Sequence, residues 1–265
     1  MFGLVNARPL KGLATLVALV TATMSLQACD AQNRSEAAQL TDGQACAEGT
    51  LGVARELVVA PKSTNVHEFL EPYEVVLTFD DGPDRWATRK IVKMLDAECT
   101  HATFFLLGRN AKRFPKVVRD IAASGHSIGS HSWSHRRYTE LTAEQVAADL
   151  QRTHSAISDI LGTPVQLFRY PFIAFNRDLN QQITGLGIAI VTVTVDGRDW
   201  ERISPERSID IVFEQLELRD NRGIILLHDP FDKSVQRTRL LLDRLKDEGY
   251  RVVAIKPSDN DNSGI

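Results

Sequence analysis

Five short segments of the 265-residue chain carry residue types and spacings suited to metal-assisted hydrolysis. They are Thr78-Phe79-Asp80-Asp81-Gly82-Pro83, Ser130-His131-Ser132-Trp133-Ser134-His135, Phe168-Arg169-Tyr170-Pro171-Phe172, Asp196-Gly197-Arg198-Asp199-Trp200 and Leu226-Leu227-His228-Asp229. A catalytic divalent ion needs about three protein ligands and an open position for water. Two imidazoles and one carboxylate suit zinc, or cobalt or a similar first-row ion. His131 and His135, four apart, would supply the nitrogens, and one of Asp80 or Asp81 the oxygen. The other aspartate would then be free as general base toward water. Neighbouring residues at a strand end point opposite ways, which would give the two aspartates different tasks. His228 would approach from another strand as general acid. Each segment alone has a plainer reading. Asp-Asp-Gly-Pro makes turns, paired histidines sit on surfaces, Arg169 could serve a structural ion pair, Asp199-Trp200 a packed corner, and His228 the core.

The elements that must position these segments favour the joint reading. Short apolar, β-branched runs predict strands at Glu74–Phe79, His101–Leu107, Ser127–Ser130, Val165–Arg169, Gly187–Val195, Arg222–Leu227 and Tyr250–Ile255. Helical spacing between them predicts helices over Trp86–Ala97, Pro115–Ala123, Thr142–Leu161, Asn176–Gly185, Ser204–Leu218 and Val235–Glu248. Thr142 followed by Gln145 has the form of a capping box, and Pro205 suits a first helical turn. Seven strands alternating with helices, as near-continuous apolar runs, imply a parallel sheet covered on both faces. A (β/α) barrel and an open doubly wound sheet both fit. No Gly-x-Gly-x-x-Gly follows the first strand, which weighs against a dinucleotide site. All five polar segments fall at or just beyond strand ends, where a barrel carries its chemistry.

Hydrophobic residues at 43% and charged residues at 25% exclude a multi-span membrane protein and a wholly disordered chain. A net charge of −3 with interspersed signs argues against nucleic acid as a partner, and a monomer is expected. Residues 1–28 read as a secretory signal: Arg8 and Lys11 precede an apolar run from Leu13 to Leu26 that is too short for a span. Leu26-Gln27-Ala28-Cys29 resembles a bacterial lipobox, with Gln27 as a departure. A lipid on Cys29 would anchor the protein to a membrane of the cell envelope, on the periplasmic side; ordinary cleavage would leave it free. Cys46 and Cys99 would remain as an even pair in an oxidising compartment. Residues 29–72 read as a tether becoming an ordered lead-in, 73–256 as the single globular domain, and 257–265 as a tail.

Over about Tyr73 to Lys256 the five segments together resemble the polysaccharide deacetylases, the NodB-homology family of metal-dependent carbohydrate esterases (carbohydrate esterase family 4). Thr-Phe-Asp-Asp-Gly, His-Ser-x-x-His, Asp-x-x-Asp-Trp and Leu-x-His carry the likeness. The resemblance implies a deformed barrel of seven or eight strands and a hydrolase that removes acetyl groups from an acetylated polysaccharide. It implies Asp80 as base, and Asp81 as metal ligand with His131 and His135. It implies Arg169 paired with Asp80, the backbone N–H of Phe172 at the oxyanion, and Asp199 orienting the acid His228. Trp200 and Leu226 would wall a pocket for the acetyl methyl. Ile173 departs from the family, which often has glycine there, and Phe172 stands where tyrosine is common. Three other readings compete: an O-acetyl-xylan esterase, a hydrolase of a small amide or imide, and a non-catalytic carbohydrate-binding protein. His67, His101, His126 and His154 lie outside the set; His126 is expected to be structural and the other three to be core-edge or surface residues.

Overall fold

A computed structural model describes Met1, residues 46–61 and residues 66–258. Apart from Met1, the expected signal segment, Cys29 and the lipobox lie outside the described residues, as do residues 259–265 of the tail. Of residues 1–47 only Met1, Cys46 and Ala47 are described, and they form no element. Cys46 and Cys99 are both disulfide-bonded.

From Glu48 onward the chain is one compact unit, a deformed parallel (β/α) barrel. Its strands are β1 (Arg55–Val59), β2 (Glu74–Asp80), β3 (Thr103–Leu106), β4 (Ser127–Ser130), β5 (Leu167–Phe168), β6 (Ala189–Ile190), β7 (Val195–Asp196), β8 (Gly223–His228) and β9 (Arg251–Pro257). The longer helices are α1 (Ala87–Ala97), α2 (Gly108–Arg113), α3 (Pro115–Ala123), α4 (Ala143–Leu161), α5 (Arg177–Gly185), α6 (Pro205–Glu217) and α7 (Ser234–Asp247). Ladders join β7–β8–β2–β3–β4–β5–β6, all parallel. The expected single strand Gly187–Val195 is two short ones. Its first half pairs with β5 and its second half with β8, so one run serves both edges of the barrel and must bend between them.

Strand pleating separates two cores. Val75, Leu77 and Phe79 face outward onto the helices. Val76, Phe105, Leu167, Ala189, Val191 and Ile224 face the lumen and fill its floor. The sheet begins upstream of the expected domain start at Tyr73. β1 pairs along β9, β9 pairs with the first two residues of β2, and Val59, Val253 and Ile255 join the lumen floor. Apolar residues 57–59, inside the expected tether, are therefore sheet. Arg55 reinforces this with a 2.7 Å ion pair to the buried Glu74. The capping box forms as read: the Gln145 N–H donates to Thr142 Oγ1 and the Thr142 N–H to Gln145 Oε1.

Candidate active site

Above the apolar floor the lumen turns polar, one strand end at a time. Val76, Thr78 and Asp80 alternate inward on β2, so Asp80 enters the lumen by pleating alone. Asp81 should then point away. It does not, because its φ of 73° turns the chain back in the left-handed region. His131 Nε2 consequently lies 3.7 Å from Asp80 Oδ2 and 3.8 Å from Asp81 Oδ1. The expectation of opposite directions is corrected by this one backbone angle. The two carboxylates still differ in their partners.

Asp80 and Arg169 are each 1% exposed and form a 2.8 Å ion pair. The guanidinium also donates to Thr78 Oγ1 at 2.7 Å, to the Val191 carbonyl at 3.1 Å and to the Thr192 carbonyl at 3.2 Å, and it lies over the Phe105 ring. Those two carbonyls belong to the bend between β6 and β7, so Arg169 satisfies the backbone groups that the broken strand leaves free. Burial pulls the Arg169 pKa down from its ordinary value, while Asp80 opposes the shift. A buried charge of this kind persists only when paired and hydrogen-bonded. With Oδ1 tied to Arg169, Asp80 Oδ2 is the oxygen that faces the histidines.

Asp81, His131 and His135 bring one ligand atom each within 4.8 Å of one another. His135 Nε2 is 3.6 Å from Asp81 Oδ1, too far for a hydrogen bond, and Asp81 Oδ1 is buried with no hydrogen-bond partner. Bonds of about 2.0–2.2 Å to a tetrahedral ion put ligand atoms roughly 3.4 Å apart, so the trio fits a shared cation. His131 Nδ1 is 2.8 Å from the Arg169 carbonyl, which requires its N–H there and leaves Nε2 as the lone pair. Burial lowers the His135 pKa more than Asp81 raises it, which favours the neutral, ligating ring.

The acid side is equally constrained. One Asp199 oxygen accepts the His228 backbone N–H at 2.8 Å and the other lies 2.8 Å from His228 Nδ1. Burial lowers the His228 pKa, but the Asp199 hydrogen bond and the charges of Asp199, Asp80 and Asp81 outweigh it and raise it to about 9. Phe231 stacks on the imidazole at 4.6 Å. Leu226 is buried on β8, while Trp200 is 56% exposed with its indole N–H donating to Asp196. Phe172 and Ile173 adopt φ of 58° and 51°. Ile173 therefore occupies a conformation that glycine takes without strain, the physical sense of the departure noted in the sequence. The Phe172 side chain also has a contact of its own, edge-on to His135 at 4.3 Å and under Arg137.

Several supporting residues escaped sequence reading. Asp149 on α4 accepts from the Trp133 N–H and the Tyr138 hydroxyl, both at 2.8 Å, and pins the loop that carries both histidines. Asn110 donates to the Asp81 carbonyl at 2.8 Å. Asp229 is fully buried, accepts from the Thr88 hydroxyl and sits against the Gly82 α-carbon. Burial pushes its pKa up to about 7. Nothing in the spacing of Asp149 or Asn110 marks them, since their partners, two backbone groups and the Tyr138 hydroxyl, are distant in sequence. Asp229 adjoins His228 and its position alone could have flagged it. Of the remaining histidines, His154 bridges Ser130 Oγ and the Val165 carbonyl, and burial lowers its pKa to about 4. His126 is lowered by burial to about 3. Neither touches the trio.

The chain is similar to known proteins over most of this unit. A profile of the family described as polysaccharide deacetylase matches residues 70–191. A peptidoglycan-N-acetylglucosamine deacetylase of Bacillus cereus is 32% identical over 196 residues, covering 71% of this chain and 70% of the relative. The peptidoglycan-N-acetylmuramic acid deacetylase PdaC of Bacillus subtilis is 30% identical over 202 residues, 76% of this chain and 41% of the relative. The chain thus spans about two fifths of that relative's length. Among solved structures, the Bdellovibrio bacteriovorus peptidoglycan deacetylase Bd3279 superposes with a TM-score of 0.68 at 29% identity, covering 80% of this chain and 58% of that one.

Proposed function

The chain belongs to the polysaccharide deacetylase family, and from that premise we propose that it is a metal-dependent hydrolase removing N-acetyl groups from N-acetylglucosamine-type residues of a polysaccharide. The observation that carries the reading is the convergence of Asp81, His131 and His135 beside a separately held Asp80 and His228. A divalent ion held by the trio, zinc in our reading, would supply Lewis acidity and lower the pKa of water. Asp80, held by Arg169, takes the proton from the attacking water through Oδ2. The Phe172 N–H is the assigned donor to the developing oxyanion. His228, protonated and oriented by Asp199, gives its Nε2 proton to the departing amine nitrogen. Trp200 and Leu226 are assigned to the acetyl pocket.

The names of the relatives, which include peptidoglycan, chitin and chitooligosaccharide deacetylases, favour an N-acetyl over an O-acetyl substrate. The intact acid–base set argues against a purely binding protein. We further propose work in the bacterial cell envelope, with Cys29 as a lipid anchor; intact mass of the mature protein would read the modification directly, and an unmodified N-terminus would refute it. No helix among the described residues is long and apolar enough to cross a membrane. The test of function is an acetate-release panel on peptidoglycan, chitooligomers, poly-N-acetylglucosamine and acetylated xylan. Release from an N-acetylated glycan is expected. Release from xylan alone would replace the reading with the esterase, and release from none would refute it.

A further inference from the structure

Beside the Asp81 turn the rim of the barrel opens into a cleft of about 350 Å³, with Pro83, Arg85, Asn110, Arg113, Phe114 and Pro230 in its walls. These residues take no part in the acid–base chemistry, yet segments following β2, β3 and β8, neighbours in the sheet, deliver them to one place. The cleft adjoins the reacting centre. Asn110 in its wall donates to the Asp81 carbonyl at 2.8 Å, and Pro230 follows His228 by two residues.

The cleft is cationic in a chain whose net charge is −3. α2 alone carries Arg109, Lys112 and Arg113 and no acid. Nearby Arg89 and Lys116 are both paired with Asp120. Among the described residues, by contrast, neither Arg85 nor Arg113 has a carboxylate partner. Each guanidinium instead lies 5.1 Å from an aromatic ring, Arg85 over Trp86 and Arg113 over Phe114. Stacking of this kind orients the planar fork and leaves its N–H edge available to an anion. The one acid in the cleft, Asp84, has its Oδ1 occupied by the Trp86 and Ala87 backbone N–H groups, both at 2.7 Å.

We infer that this cleft is a subsite for a carboxylate-bearing branch of the polysaccharide, on the sugar next to the one that is deacetylated. The inference rests on the functional reading above and narrows its substrate class to an acidic glycan. Two forked donors match a carboxylate in geometry and charge. Pro83, Phe114 and Pro230 offer an apolar floor to the carbon atoms that carry it. The volume holds roughly ten waters at about 30 Å³ each, more than an acetyl group needs and enough for a short branch. A wall glycan presents such a carboxylate on the lactyl ether of alternate sugars where no peptide is attached, and on the peptide itself where one is amide-linked there.

The test compares kcat and KM for acetate release from three preparations. These are wall glycan strands with their peptides, the same strands stripped of peptide by an amidase, and both after conversion of carboxylates to methylamides. Amidation should raise the wild-type KM about tenfold with little change in kcat, as loss of a charge-assisted contact does. In the Arg85→Gln/Arg113→Gln protein that preference should collapse, and in the wild type it should weaken with added salt. A preference shown by the stripped strands, whose lactyl carboxylates the amidase has freed, identifies the lactyl group as the ligand; one shown only by the strands that keep their peptides identifies the peptide. Equal KM values for carboxylated and amidated strands in the wild type, or an undiminished preference in the double variant, would overturn the subsite. Absence of acetate release from every strand would instead overturn the functional reading.

Discussion

Asp80 and Asp81 are adjacent, and both carboxylates lie within 4 Å of the same histidine nitrogen. What distinguishes them is the second oxygen of Asp80, which is committed to Arg169 at 2.8 Å. Asp80→Asn should therefore keep the metal and lose activity by about 10²–10⁴, the usual worth of a general base. Metal content and kcat measured on one preparation check this, and metal lost together with activity would mean the two roles are exchanged. His228 gives a pH signature. Its raised pKa keeps it protonated below about 9 and deprotonates it above, so activity should fall on the alkaline side. A bound dication repels the imidazolium, which places that limb at or below about 9. Asp199→Asn removes the anionic partner and should shift the limb down by about one pH unit or more. A limb that stays in place would separate it from His228.

At the level of elements, the site is a set of loops whose backbones are bent hard. Of the eleven described non-glycine residues with positive φ, six (Asp81, Ser132, His135, Phe172, Ile173 and Arg198) lie on the loops that carry the chemistry. Such conformations persist where neighbours over-determine them, and Asp229 is one such neighbour. A Cβ on Gly82 would meet its carboxylate oxygens at 2.3 and 2.4 Å. Gly82→Ala should therefore displace the Asp81 turn, cost about 1–3 kcal/mol of stability and weaken metal binding. Unchanged metal affinity by calorimetry would contradict that coupling. The same contrast explains what the sequence could convey. Strand ends and the five polar segments were legible because pleating, apolar runs and turn residues are local signals. The direction of Asp81 was not, because a single φ decides it. The split of Gly187–Val195 was hidden too, because a uniformly apolar run does not reveal that its two halves pair with different strands. β1 is not distinguishable within the tether and its lead-in, because these five residues become a strand only through β9.

At the largest scale, the described unit from Glu48 onward is a barrel whose lower lumen is an apolar plug and whose upper lumen is the reacting centre. The plug includes residues from before the expected domain start: Val59, Val66 and Leu70 are at most 2% exposed. A chain trimmed to begin at Tyr73 gives up all three, at about 1.5–3 kcal/mol for each fully buried apolar side chain, and leaves β9 without its outer partner. It should melt well below the full domain or fail to fold, and an equal melting temperature would show the plug to be dispensable. As proposed, this barrel hydrolyses acetyl groups through a metal held by Asp81, His131 and His135. The measurement that reaches this proposal most directly is acetate release from an N-acetylated glycan by the chelated protein before and after zinc is returned, with His131→Ala alongside. Chelation should abolish release, zinc should restore it, and His131→Ala should bind zinc weakly and stay inactive. Acetate release indifferent to chelation, or a His131→Ala protein with unchanged zinc affinity, would contradict it.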